Sequence, residues 1–127
     1  MRENGTDRDV ALSILTALTT METIVSAIND DLFTAHITTQ PSNQTVALNA
    51  SATFSVVADN VKSYQWQYKN PSTGNWVDTT IITGYNTDTI TVTATAVRDG
   101  WSFRCQVTGK DGVVVTSDPA TLTISQE

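Results

Sequence analysis

One histidine and one cysteine, His36 and Cys105, carry nearly all the metal-binding and nucleophilic chemistry this chain offers, and they stand 69 positions apart. A zinc site needs three or four nitrogen and sulfur ligands at short spacings, and no such cluster exists. Cys105 sits in an alternating apolar run and reads as a buried core thiol; as a nucleophile it would need a basic partner, and only His36 is available. Serine catalysis meets the same shortage, and neither a G-x-S-x-G turn nor a phosphate-cradling glycine loop occurs. Asp59, Asp78, Asp88, Asp99, Asp111 and Asp118 fall mostly in turns, where aspartate bonds its own backbone, and calcium-binding repeats are missing. No enzyme activity and no cofactor are expected. Asn4-Gly5-Thr6, Asn43-Gln44-Thr45 and Asn49-Ala50-Ser51 match the glycosylation pattern by chance.

Aromatic residues near turns are the remaining signal. Trp76, Tyr85 and Trp101 are candidate surface contacts, for a sugar or a protein. The ordinary alternative packs Trp76 and Trp101 at the rim of a core, which leaves Tyr85, in Thr83-Gly84-Tyr85-Asn86, as the best exposed contact.

The 127 residues suit one domain with an appendage. The net charge of −6 comes with no Lys/Arg cluster, which argues against nucleic acid and anionic membranes as partners. A single cysteine excludes an intrachain disulfide and leans towards a reducing compartment. The opening MRENGTDRDVALSILTALTT lacks the form of a signal peptide, and no apolar run is long enough to span a bilayer. Assembly in a host cytoplasm is the expectation.

Positioning elements divide near residues 33–36, giving an N-terminal segment 1–35 and a β domain 36–127. Ala11, Ile14, Leu18, Met21, Val25, Ile28 and Leu32 recur at alternating spacings of three and four, the a/d pattern of a heptad seam. Thr6 is a candidate cap, Asp7 and Asp9 suit the positive end of the helix dipole, and Asn29-Asp30-Asp31 weaken the far end. A helix of about 25 residues would be roughly 38 Å long. The stripe either folds back onto the β domain or meets other chains. The second reading is preferred, because a closed sandwich has no spare apolar face and an uncovered stripe is insoluble. An anchor or homo-oligomer, most simply a trimer, is therefore expected.

After residue 36 the apolar period becomes two, and about seven short strands are predicted. Ile37 to Leu48 forms an edge broken at Pro41. Ala52, Phe54, Val56 and Ala58 point inward on the next strand. Ser63–Lys69 and a return strand from Trp76 flank the turn-rich Asn70–Asn75. Thr87–Ala94 and Trp101–Val107 follow. Gly109-Lys110-Asp111-Gly112 makes a hairpin turn, and Val113–Ile124 closes the sheet with a break at Asp118-Pro119.

Gln65-Trp66-Gln67 resembles the strand around the buried tryptophan of immunoglobulin domains. Asp99-Gly100-Trp101-Ser102-Phe103-Arg104-Cys105 is similar to their D-x-G-x-Y-x-C signature. From Gln40-Pro41 to Ala120–Ile124 the chain resembles the Ig-like domains of bacterial surface proteins and phage virion proteins, over about 70% of its length. The resemblance implies a mainly β, Ig-like antiparallel sandwich preceded by one helix. Three departures stand out: Phe54 replaces the partner cysteine, Phe103 replaces the corner tyrosine, and the glycine comes one place early, at Gly100. Phe54 is expected to fill the missing disulfide's space against Trp66. The implied role is non-enzymatic: a decoration or fibre protein of a phage virion, head or tail, anchored to other virion proteins by its helix and adhering weakly to host-surface glycan or protein. A bacterial cell-surface adhesin module is the alternative.

Overall fold

Alternation of Thr, Val, Ile and aromatic side chains with polar ones gives each strand one face for a core and one for water, and two such sheets stack over a shared interior. The computed structural model describes residues 17–25 and 32–125. The chain falls into two units, Met1–Leu32 and Phe33–Glu127.

In the first unit, residues 17–25 are helical and their side chains are exposed. Leu18, Met21 and Val25 of the expected seam are all at least half exposed, as is Ile24 beside them. Thr23 Oγ1 donates to Thr19 O at 3.1 Å, the back-bond by which a helical threonine satisfies its hydroxyl. Leu32, also exposed, ends this unit. The other seam positions, Ala11, Ile14 and Ile28, lie outside the described residues, as do the cap at Thr6 with Asp7 and Asp9, and Asn29-Asp30-Asp31.

The second unit is an Ig-like sandwich. Its strands are β1 (His36–Thr39), β2 (Gln44–Ala47), β3 (Ser51–Ser55), β4 (Val57–Asp59), β5 (Val61–Lys69), β6 (Trp76–Asp78), β7 (Thr89–Thr93), β8 (Ser102–Gly109), β9 (Val114–Thr116) and β10 (Ala120–Ser125). One layer runs β1, β3/β4, β7: β1 pairs with β4, and β3 pairs with β7 from Ser51↔Thr93 to Ser55↔Thr89. The other runs β2-β10-β8-β5-β6, with β9 also on β8. The segments exceed the seven strands expected because three strands are interrupted: β3 and β4 flank Val56, β9 and β10 flank Ser117-Asp118-Pro119, and β1 and β2 flank Gln40–Asn43.

The last interruption corrects the expected single edge. β1 belongs to one layer, whereas β2 crosses to the other and pairs in parallel with β10, Gln44↔Leu122 to Ala47↔Ser125. Pro41 stands at the crossing, buried, where its missing N–H costs no ladder bond. Side-chain amides hold the crossing: Gln40 Oε1 accepts from Asp118 N and Asn43 Oδ1 from Thr121 N, both at 2.8 Å.

The core contains Ala52, Phe54 and Val56 from one layer and Trp66, Phe103, Cys105, Val107 and Leu122 from the other. Trp66 is completely buried; its Nε1–H donates to Thr87 O at 2.7 Å and its backbone N–H to Tyr85 O at 2.8 Å. Each such large side chain contributes about 1.5–3 kcal/mol by burial, so the core suffices without a covalent cross-link. Phe54 reaches Phe103 across the layers, with ring centroids 5.0 Å apart.

Residues 33–35 are fastened to this sandwich. Thr34 Oγ1 donates to Asp111 Oδ2 at 2.5 Å, Asp111 N to Phe33 O at 3.1 Å, and Asn60 Nδ2 to Thr34 O at 3.2 Å. Ala35 is buried beside Gly109, whose missing Cβ leaves room for the backbone of Phe33 and Ala35.

Candidate functional surface

Strand alternation places Phe103, Cys105 and Val107 inside, so Ser102, Arg104, Gln106 and Thr108 of β8 face outward. Register then aligns their neighbours. Trp76, Lys69 and Ser102 form one cross-strand row, and Asp78, Gln67 and Arg104 form the next. Cross-strand neighbours on one face of a sheet lie close enough to interact directly.

They do interact. Gln67 Nε2 donates to Asp78 Oδ1 and Arg104 Nε donates to Gln67 Oε1, both at 2.8 Å. The Arg104 guanidinium lies over the Trp76 ring, 4.2 Å from its centroid, and Lys69 Nζ is 5.1 Å from the same centroid. Each cation is attracted by the electron-rich ring face, and the interaction leaves its charge in place. No carboxylate closes an ion pair with either cation among the described residues: Asp78 is engaged by Gln67 instead. The surface is thus an ordered, polar and locally cationic patch around one half-buried tryptophan. It belongs to a domain whose basic residues, Lys62, Lys69, Arg98, Arg104 and Lys110, nearly balance its aspartates; most of the chain's acid excess lies outside it.

The three aromatic candidates part company here. Trp76 stands on the outward face. Trp101 packs at the rim, stacked on Tyr68 with centroids 4.9 Å apart, and its indole N–H is buried without a partner. Arg98 covers it at 5.8 Å. Tyr85, the best exposed candidate in the sequence, is half-buried. The loop carrying it is sewn to Trp66 through the Tyr85 and Thr87 carbonyls. Gln67, Lys69, Asp78 and Arg104 occupy the intervening positions of strands whose apolar alternation marks only the inward residues.

The chemical candidates are separated. Cys105 faces the core, and burial pushes its thiol up to about 12, far from the thiolate a nucleophile needs. His36 is exposed on β1, in the other layer. Among the described residues no group of three His, Cys, Asp or Glu is placed to hold a metal ion, and no helix is long and apolar enough to cross a membrane.

These features define an Ig-like β-sandwich with a polar, aromatic outer face on its larger sheet. A solved structure of the same fold is the crystal structure of Rst D1-D2, matched at a TM-score of 0.53 and 17% identity over 71% of this chain. The match spans 48% of that chain, about half its length. No family model matches the sequence, and no curated protein matches it.

Proposed function

We propose that this chain is a non-enzymatic component of a phage virion, in which the N-terminal segment anchors or oligomerises and the sandwich displays its β6-β5-β8 face for weak adhesion to a bacterial surface. The observation that carries the adhesive part is the Trp76–Arg104–Gln67–Asp78 assembly. Four polar or aromatic side chains from three strands are locked together on the outward face of the sheet. Pre-ordering of this kind lowers the entropy lost when a partner docks. The helical run with Leu18, Met21 and Val25 exposed supports the anchoring part, since an apolar stripe of that kind calls for a covering surface. Similarity to bacterial and phage Ig-like domains supports the virion setting, and heads or tails serve equally as its place.

Two experiments test the two parts. Fluorescently labelled full-length protein should adhere to bacterial cells, and Trp76→Ala should abolish most of that adhesion; equal adhesion by both forms contradicts the assigned face. Sedimentation velocity should find an oligomer that Leu18→Asp with Met21→Asp dissociates; a monomer in both cases, with no partner retained from purified virions, contradicts the anchor.

A further inference from the structure

Taking the β6-β5-β8 face as the contact surface, we infer that its ligand is an acidic polysaccharide, one whose uronate carboxylates meet Arg104 and Lys69 beside Trp76. The inference rests on the functional reading above and adds the chemistry of the partner.

Three observations carry it. First, the two cations are unneutralised. Arg104 spends only Nε on Gln67, which leaves the Nη edge of its guanidinium free, and Lys69 Nζ has no acceptor among the described residues. The Nη pair is the edge that takes a carboxylate in two parallel hydrogen bonds. Second, the guanidinium is already oriented. Trp76 lies under its plane at 4.2 Å and Gln67 holds its Nε at 2.8 Å, so little freedom remains to be lost on binding. Third, the surroundings are hydroxyls and amides. Ser102, Gln106, Thr116 and Thr121 continue the outward rows; Trp76 is the large apolar group beside the two cations, and the exposed Val114, paired with Thr108, lies further along the face. Protein hot spots also use Trp and Arg, but in well-packed pockets that become fully desolvated, whereas here Trp76 is capped by Arg104 and ringed by polar side chains. A face of hydroxyls, amides and two cations, whose one carboxylate, Asp78, is engaged by Gln67, matches a hydroxylated, carboxylated chain better. Because Arg104 covers the tryptophan, the sugar meets the guanidinium edge and not the bare indole face.

Titration calorimetry of the full chain with oligogalacturonate tests this, with a neutral dextran oligomer and polyglutamate as parallel ligands. Oligogalacturonate should bind and dextran should not, and added salt should weaken binding, as it does for exposed charges. Arg104→Gln and Lys69→Gln should each weaken it at least about tenfold, the scale of one charge-assisted hydrogen bond. Lys62→Gln, which removes an equal charge at the bulge in β5, should bind as the parent does. Should Arg104→Gln disturb folding through Gln67, Lys69→Gln carries the test, since no hydrogen bond among the described residues uses its ammonium. Binding of polyglutamate in preference to oligogalacturonate would assign the face to an acidic protein and overturn the inference. Binding that survives both substitutions would also overturn it. No binding of either polyanion, with Trp76→Ala still defective in cell adhesion, would remove the acidic sugar and leave the contact face standing. If Trp76→Ala also adhered normally, both readings would fall.

Discussion

Phe54 and Phe103, two of the positions at which this chain departs from the immunoglobulin pattern, touch each other: their rings lie 5.0 Å apart and tilted by 32° across the two layers of the sandwich. The cysteine and the tyrosine that the resemblance leads one to look for are replaced by a matched aromatic pair, which bridges the layers by dispersion and area burial where a disulfide would bridge them covalently. Phe54 and Trp66 share the same buried core, and the Phe54 ring meets that of Phe103. Each ring replaced by alanine should cost about 3–5 kcal/mol. In urea unfolding, the double variant should fall short of the sum by about 0.5–3 kcal/mol, as for residues in contact. Additive losses would show that the pair does not act as a unit.

The loop between β6 and β7 should fail at Gly84. Its φ is +86°, and a Cβ there would lie 2.0 Å from the Thr89 carbonyl oxygen. Backbone on one side and a left-handed conformation on the other leave no cheap adjustment. Gly84→Ala should destabilise by about 2 kcal/mol or more. The loss should appear as faster amide exchange at Trp66, whose N–H is bound to Tyr85 O. Unchanged exchange would contradict the tie between this loop and the core.

Asp111 predicts an acid-sensitive fastening of residues 33–35. Its carboxylate accepts from Thr34 Oγ1 and from Val113 N, and these bonds hold its pKa below the ordinary aspartate range. A depressed folded value means that the contribution is fully present above the unfolded pKa and is lost as pH falls through the folded one. The amide resonance of Val113 should therefore titrate with a midpoint below that of an unstructured aspartate, and Asp111→Asn should remove the transition. A midpoint at or above the ordinary value would contradict the bonds.

Cys105 should behave as part of the core. With its thiol pushed up to about 12 by burial, it should react with a thiol reagent only as fast as the domain opens. Cys105→Val should leave cell adhesion intact, and Cys105→Ser should cost about 1–3 kcal/mol by burying a hydroxyl beside apolar neighbours. Rapid labelling of the folded protein would contradict the burial.

Period-two alternation makes the inward residues readable from the sequence: Ala52, Phe54, Val56, Phe103, Cys105 and Val107 are all buried. The turns at Asn49 and at Gly109–Gly112 announced themselves through residues that accept a left-handed backbone, and Asn49 and Gly112 adopt it, with φ of 69° and 83°. The layer change at Pro41 was illegible, because a proline between two extended runs reads the same whether the second run continues an edge or crosses over. What decides it is pairing with β10, some 80 positions away. The outer face was half legible. Trp76 drew notice as an aromatic near a turn, but its partnership with Arg104 depends on the register of β5 against both β6 and β8, and local pattern does not carry register between strands distant in sequence. Tyr85 is half-buried for a related reason: local pattern does not show that the carbonyl of a Gly-Tyr-Asn turn is bonded to a buried strand.

The account stands on the outward face of β6, β5 and β8 being the surface that meets the outside world. Hydroxyl-radical footprinting of the full chain, free and adhering to bacterial cells, addresses that face directly, because the half-buried Trp76 remains open to oxidation and the half-buried Trp101 and fully buried Trp66 serve as internal references. Adhesion should protect Trp76 strongly, with Trp101 unchanged and Trp66 unreactive throughout. Protection confined to exposed residues elsewhere, such as Ile81 or Val97, with Trp76 oxidised equally in both states, would contradict it.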